Sequence, residues 1–167
     1  MNEASVACLG YLEIGVSSLS DWQDYAENVL GVTCIRSGDA IDLRYDAACW
    51  RIHLVETGED DIRCAGFEVS SVADLNAIRA RLEGQGVTVT DASADQARAR
   101  GVDQLLLCAD PFGLSVELYV GDRSVTEPFV SPRNVSGFVT GEQGLGHMVL
   151  TAADSKQAEV FYMQGLG

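Results

Sequence analysis

Gly141-Glu142-Gln143-Gly144-Leu145-Gly146-His147-Met148-Val149-Leu150, close to the C-terminus, decides how this 167-residue chain is read, because it repeats the chain's own opening. Leu145-Gly146 matches Leu9-Gly10, His147 matches Tyr11, Phe161 matches Tyr25, and Leu166-Gly167 matches Leu30-Gly31, all at one offset. A match sustained over an apolar run, a helix and a helix-stopping glycine marks one structural unit used twice. In the second copy Asp154 is placed to cap the helix, and Ala158, Phe161, Tyr162 and Leu166 share one of its faces. The copies differ at one chemically telling position. Both tyrosine and histidine suit a half-buried strand, but only neutral imidazole is a good ligand for a divalent transition metal.

Working outward, residues 8–16 read as a strand rich in aliphatic and aromatic side chains. A helix comes next, with Ser20 and Gln23 at capping-box spacing, Trp22, Tyr25, Ala26, Val29 and Leu30 on one face, and Gly31 as its left-handed stop. Strands are expected over 32–36, 41–45 and 50–56, giving the order β-α-β-β-β across residues 7–57. The same order returns across 62–121: a strand at 64–69, then a helix with Val72, Leu75, Ile78 and Leu82 inward and Gly84 at its end. A strand at 86–90, a polar helical turn at 94–100 and strands at 103–109 and 115–120 complete it, the last two joined by the tight turn Asp110-Pro111-Phe112-Gly113. Neither module closes a core alone, so the two are expected to pair into one domain over 1–121. Residues 122–143, with Pro128, Pro132, Gly137 and Gly141, read as a surface linker, and 144–167 as the first strand and helix of a third module. A module that stops there leaves Val149, Phe161 and Leu166 uncovered unless the helix folds back or another chain covers it.

The formal net charge of -14 argues against nucleic acid or an anionic membrane as partner, since each phosphate contact works against self-repulsion. No apolar run reaches the ~18 residues of a membrane span, and the first residues lack the basic and apolar regions of an export signal. Five cysteines without CxxC spacing fit reduced core thiols in a cytoplasm better than disulfides or zinc. A soluble cytoplasmic protein is expected.

Three side chains invite a chemical reading. His53 lies on a mixed strand face with no acidic or histidine neighbour at ligand spacing, and is read as structural. Glu117 shares a strand face with Ser115 and Tyr119, and without an aligned histidine is read as an outward or hydrogen-bonded glutamate. His147 opens an apolar strand within the repeat and is the one candidate metal ligand.

The residues Leu9-Gly10-Tyr11-Leu12, the 110–113 turn with Val116-Glu117-Leu118, and above all 138–147 make the chain resemble the type I extradiol ring-cleavage dioxygenases of the vicinal oxygen chelate superfamily, relatives of glyoxalase I and the bleomycin-resistance proteins. Among these it is most similar to enzymes that cleave 2,3-dihydroxybiphenyl or steroid-derived catechols. The resemblance implies an α+β fold of paired βαβββ modules, with one complete two-module domain and the start of a second. It implies that a catechol-type aromatic substrate is opened beside its diol by dioxygen at non-haem Fe(II), Mn(II) accepting the same nitrogen and oxygen ligands. Two histidines and a glutamate would hold that metal; His147 matches the first, and the other two, with the acid-base residues, would lie beyond Gly167. Tyr11 and Glu117 stand at the corresponding first-domain positions, where no metal is expected. Val149, two residues along an extended strand from His147, is the expected apolar substrate contact, whereas Met148 and Leu150 would pack toward the helix. Further implied are about 100–150 additional residues, a homo-oligomer, and no turnover by these 167 residues alone. The rival reading is a metal-free module of the same fold that binds a small ligand or assembles an oligomer.

Overall fold

A computed structural model describes residues 3–167. The chain forms two compact units: one holds Tyr11–Cys64 and Arg123–Gly141, the other the N-terminal stretch to Gly10, Ala65–Asp122 and Glu142–Gly167. Each is built around one of the two expected modules.

In the first-module unit, β1 (Val6–Val16, from Tyr11 onward) is followed by α1 (Leu19–Tyr25), β2 (Thr33–Ser37), β3 (Ala40–Arg44) and β4 (Ile52–Glu56). The strands lie in the order β2-β3-β4-β1, with β1 parallel to β4 and the other pairs antiparallel. Alternation sends Val16, Ile41, Leu43 and Leu54 into a core shared with Leu19 and Ala26 of the helical segment. The helix begins two residues earlier than its spacing suggested: Ser18, not Ser20, accepts from the Asp21 amide. Its end also departs from a uniform 3.6-residue period. Residues Ala26–Leu30 form a π-helical segment closed by Gly31 at φ 74°. The wider turn rotates the side chains around it, so Ala26 is buried while Tyr25 and Val29 are 46% and 65% exposed.

Residues 123–141 pack onto this module. The Cys49 amide donates to the Arg123 carbonyl at 2.7 Å, the Val125 amide to Ala47 at 2.8 Å, and the buried Ser131 hydroxyl to Gly31 at 2.6 Å. Phe138 meets Tyr45 and Phe129 at ring-centroid distances of 5.3 and 5.9 Å.

The second-module unit contains β5 (Asp61–Val69, from Ala65), α2 (Val72–Gly84), β6 (Thr90–Asp91), α3 (Ala94–Arg100), β7 (Gln104–Ala109) and β8 (Ser115–Val120). Its strand order, β5-β8-β7-β6, reproduces β1-β4-β3-β2 of the first module. Ser93 and Gln96 form a reciprocal capping box on α3. Of the strand expected over 86–90, only Thr90 pairs with β7, together with Asp91 just beyond it.

The C-terminal helix completes this unit. Asp154 caps α4 (Ser155–Glu159) through the amides of Lys156 and Gln157, and Val160–Leu166 continue it as a π-helix. Phe161 and Leu166 are buried with Leu75, Ile78 and Leu82 of α2. Gly165 permits that approach: a Cβ there would lie 2.8 Å from Leu82 Cδ2. The Arg81 guanidinium donates to the Gly165 and Ala4 carbonyls, each at 2.8 Å. Residues 147–150, expected as a strand, have no ladder among the described residues. The Leu9–Gly144 bridge and the Leu145 amide's bond to Leu9 end the pairing, because Gly146 at φ 97° turns the chain away.

Phe161→Ala is expected to lower the unfolding free energy in urea by ~3–5 kcal/mol. Val149→Ala, at a position 83% exposed, should change it by no more than about 0.5 kcal/mol.

Candidate metal and substrate site

His147 comes directly after Gly146, whose left-handed backbone few other residues adopt, and its imidazole reaches a cavity of about 390 Å3 in the second-module unit. Met148 and Leu150 line the same cavity with Leu9, Phe67 and Phe112. Val149 is outside its wall and exposed. The reason is local: without strand geometry, positions 147 and 149 need not face one way.

One end of the cavity is organised by Asp110. Its Oδ1 accepts from the Phe112 and Leu114 amides, both at 2.9 Å, which fixes the proline turn. Its Oδ2 accepts the Tyr162 hydroxyl, also at 2.9 Å. Burial, then the bond to the Asp110 carboxylate, pushes the Tyr162 phenol well above its usual range. Burial, with Asp110 adding to it, likewise pushes the Cys108 thiol up to about 12. Cys8, also on the wall, donates from Sγ to Glu68 at 3.7 Å, and the Tyr119 hydroxyl donates to the same carboxylate oxygen at 3.4 Å.

His147 supplies one nitrogen donor. Among the described residues no three histidine, cysteine, aspartate or glutamate side chains converge on a point that would hold a metal. These residues alone therefore do not fit an iron centre, which requires further ligands to fix its geometry.

Tyr11 and Glu117 each face an internal cation. Tyr11 is buried, and the Arg123 guanidinium carbon lies 4.6 Å from its ring centroid and 4.3 Å from that of Trp50. A cation already on both aromatic faces disfavours a second, metallic one there. Glu117 is buried and receives Arg100 Nε and Nη2 at 2.9 and 3.0 Å, a two-pronged ion pair. Sequence reasoning missed both arginines. An acid in an apolar strand signals that some partner exists, but only the fold identifies it. His53 also gains a partner the sequence did not show: Asp42, its cross-strand neighbour, at 2.6 Å from Nδ1.

Two measurements check this electrostatic picture. Glu117→Gln, which takes this counter-charge from the partly buried Arg100, should destabilise the fold by ~1–3 kcal/mol, whereas replacing both by apolar residues should cost less. Cys108, a protonated thiol at pH 8 with its value near 12, should resist iodoacetamide in the native protein and react once the protein is unfolded in urea, as peptide mass spectrometry will show.

Residues 9–58 match the family model described as "Dihydroxybiphenyl dioxygenase BphC D1". The biphenyl-2,3-diol 1,2-dioxygenase of Paraburkholderia xenovorans (strain LB400) is 42% identical over 165 residues, which are 98% of this chain and 55% of that protein. The iron-dependent extradiol dioxygenase of Rhodococcus jostii (strain RHA1) is 34% identical over 98% of this chain and 55% of its own length. A crystal structure of catechol 2,3-dioxygenase superposes with a TM-score of 0.92 at 34% identity, covering 97% of this chain and 55% of that one. The chain spans about half the length of the curated relatives it matches. With the duplicated module order, these similarities establish that the chain is homologous, along nearly its whole length, to about half of an extradiol dioxygenase.

Proposed function

We propose that this chain is the portion of an extradiol dioxygenase that carries its first metal ligand, in an enzyme that opens a catechol-type aromatic ring beside the diol with dioxygen at non-haem Fe(II). The observation that carries the proposal is His147, an exposed imidazole on the cavity wall at the repeat position where the first copy has a buried tyrosine. The iron-dependent relative at 34% identity supports iron, and Mn(II) is the alternative ion for the same donors. In this reading residues 1–121 are a non-catalytic two-module domain, 122–143 connect it, and 144–167 open the catalytic domain. Val149 is proposed as a substrate contact that becomes directed only when a neighbouring strand gives 147–150 an extended ladder. No helix among the described residues is long and apolar enough to cross a membrane, and a cytoplasmic compartment belongs to the proposal on the strength of five cysteines without paired spacing. The homo-oligomer belongs to the proposal as well.

The 167-residue chain alone, supplied with Fe(II), biphenyl-2,3-diol and oxygen, should yield no coloured ring-opened product. Joined to the complementary portion of the Paraburkholderia xenovorans relative it should turn over, and His147→Ala should abolish that turnover. Activity of the isolated chain, or of the His147→Ala chimera, would show that the site is elsewhere.

A further inference from the structure

The helix of the first module leaves open the face that its copy buries. The two helices correspond in every local feature: Ser18 and Asp154 cap them, each ends in a π-helical stretch, and Gly31 and Gly167 close them at φ 74° and 102°. Their surroundings differ. Phe161 and Leu166 are fully buried with Leu75, Ile78 and Leu82 of α2, whereas the matched Tyr25 and Leu30 are 46% and 37% exposed. Gly165 meets Leu82, and its counterpart Val29 is 65% exposed. Val130, itself exposed, extends this apolar face: Thr33 Oγ1 donates to its carbonyl at 3.4 Å, and the next residue, Ser131, is bonded to Gly31. The exposed carboxylates Asp21 and Asp24 stand beside Tyr25 on the same helical segment, so the face is apolar at its centre and acidic at its edge.

We propose that Tyr25, Val29 and Leu30 seat one amphipathic helix, the counterpart of α2 in the remaining half of the protein. Packing between duplicated units is reciprocal when a two-fold relates them. What the helix of the later copy finds on α2, the helix of the first copy then finds on the later copy of α2. That occupant carries aliphatic side chains at the spacing of Leu75, Ile78 and Leu82, and a basic side chain, in the place of Arg81, complements Asp21 and Asp24. Because Val29 stands where Gly165 does, the residue facing it is smaller than Leu82. The proposal rests on the dioxygenase reading for the existence of a second half, since the chain covers 55% of the Paraburkholderia xenovorans relative, and on neither its metal nor its substrate.

The test compares the 167-residue chain with the chimera that carries the complementary portion of that relative, both in chelator and without substrate. Hydroxyl-radical oxidation of Tyr25, Val29 and Leu30, read by peptide mass spectrometry, should be independent of concentration in the 167-residue chain and fall severalfold in the chimera. With p-benzoylphenylalanine in place of Tyr25, irradiation should cross-link the chimera internally to a helical segment of the added portion. Val29→Arg, at an exposed position, should leave the urea midpoint of the 167-residue chain unchanged. In the chimera it should lower the midpoint and restore the oxidation of Tyr25. The proposal is overturned if Tyr25 is oxidised equally in both proteins, if it is protected in the 167-residue chain, if the cross-link reaches another copy or a non-helical segment, or if Val29→Arg leaves the chimera unchanged. Ring cleavage is read separately with Fe(II). A chimera that turns over without the cross-link fails this proposal alone, and one that cross-links without turnover fails only the catalytic reading.

Discussion

The sealing of Phe161 and Leu166 against Leu75, Ile78 and Leu82 is the contact on which the C-terminal part of the structure depends. It works because Gly165 lets the terminal helix approach α2, and because Arg81 satisfies the Gly165 carbonyl that a helix end leaves open. With that helix fixed and capped by Asp154, the segment between it and the Leu9–Gly144 bridge is anchored at both ends. The placement of His147, Met148 and Leu150 beside one cavity is a consequence of those two anchors.

Duplication supplied the parts, and the copies then diverged for reasons visible at single residues. The matched glycines do different work. A Cβ on Gly10 would overlap the Tyr119 hydroxyl, whereas Gly146 has open space around it and is constrained only by its backbone at φ 97°. The matched ring positions diverge in the same way: Tyr11 is buried beneath the Arg123 guanidinium, and His147 presents an exposed imidazole. Glu117, at the other position the resemblance aligns with a ligand, is held by Arg100. Stacking at Tyr11 and ion pairing at Glu117 thus stand where the resemblance would align metal ligands.

Module order, the Gly31 stop, the 110–113 turn and the Asp154 cap were legible in the sequence because each rests on local chemistry: apolar alternation, left-handed glycine, a carboxylate facing free amides. The faces of α1 were not, since a π-helical turn breaks the 3.6-residue period that the spacing assumes, and Tyr25 and Val29 turn outward. Partners across strands or between elements were hidden for a different reason. Asp42 with His53, Arg100 with Glu117 and Arg123 with Tyr11 are all distant or off-register in the sequence and meet only through the fold. The strand expected at 147–150 needed a neighbour that the described residues do not contain, and the side-chain alternation that pointed Val149 inward went with it.

The central claim, that the second copy carries a metal-binding nitrogen and the first does not, is tested most directly by cobalt(II) absorption. In this chain joined to the remaining portion of its Paraburkholderia xenovorans relative, cobalt should give protein-coordinated d–d bands. Those bands should be lost in His147→Ala and kept in Tyr11→Phe. An unchanged cobalt spectrum in His147→Ala would contradict the account.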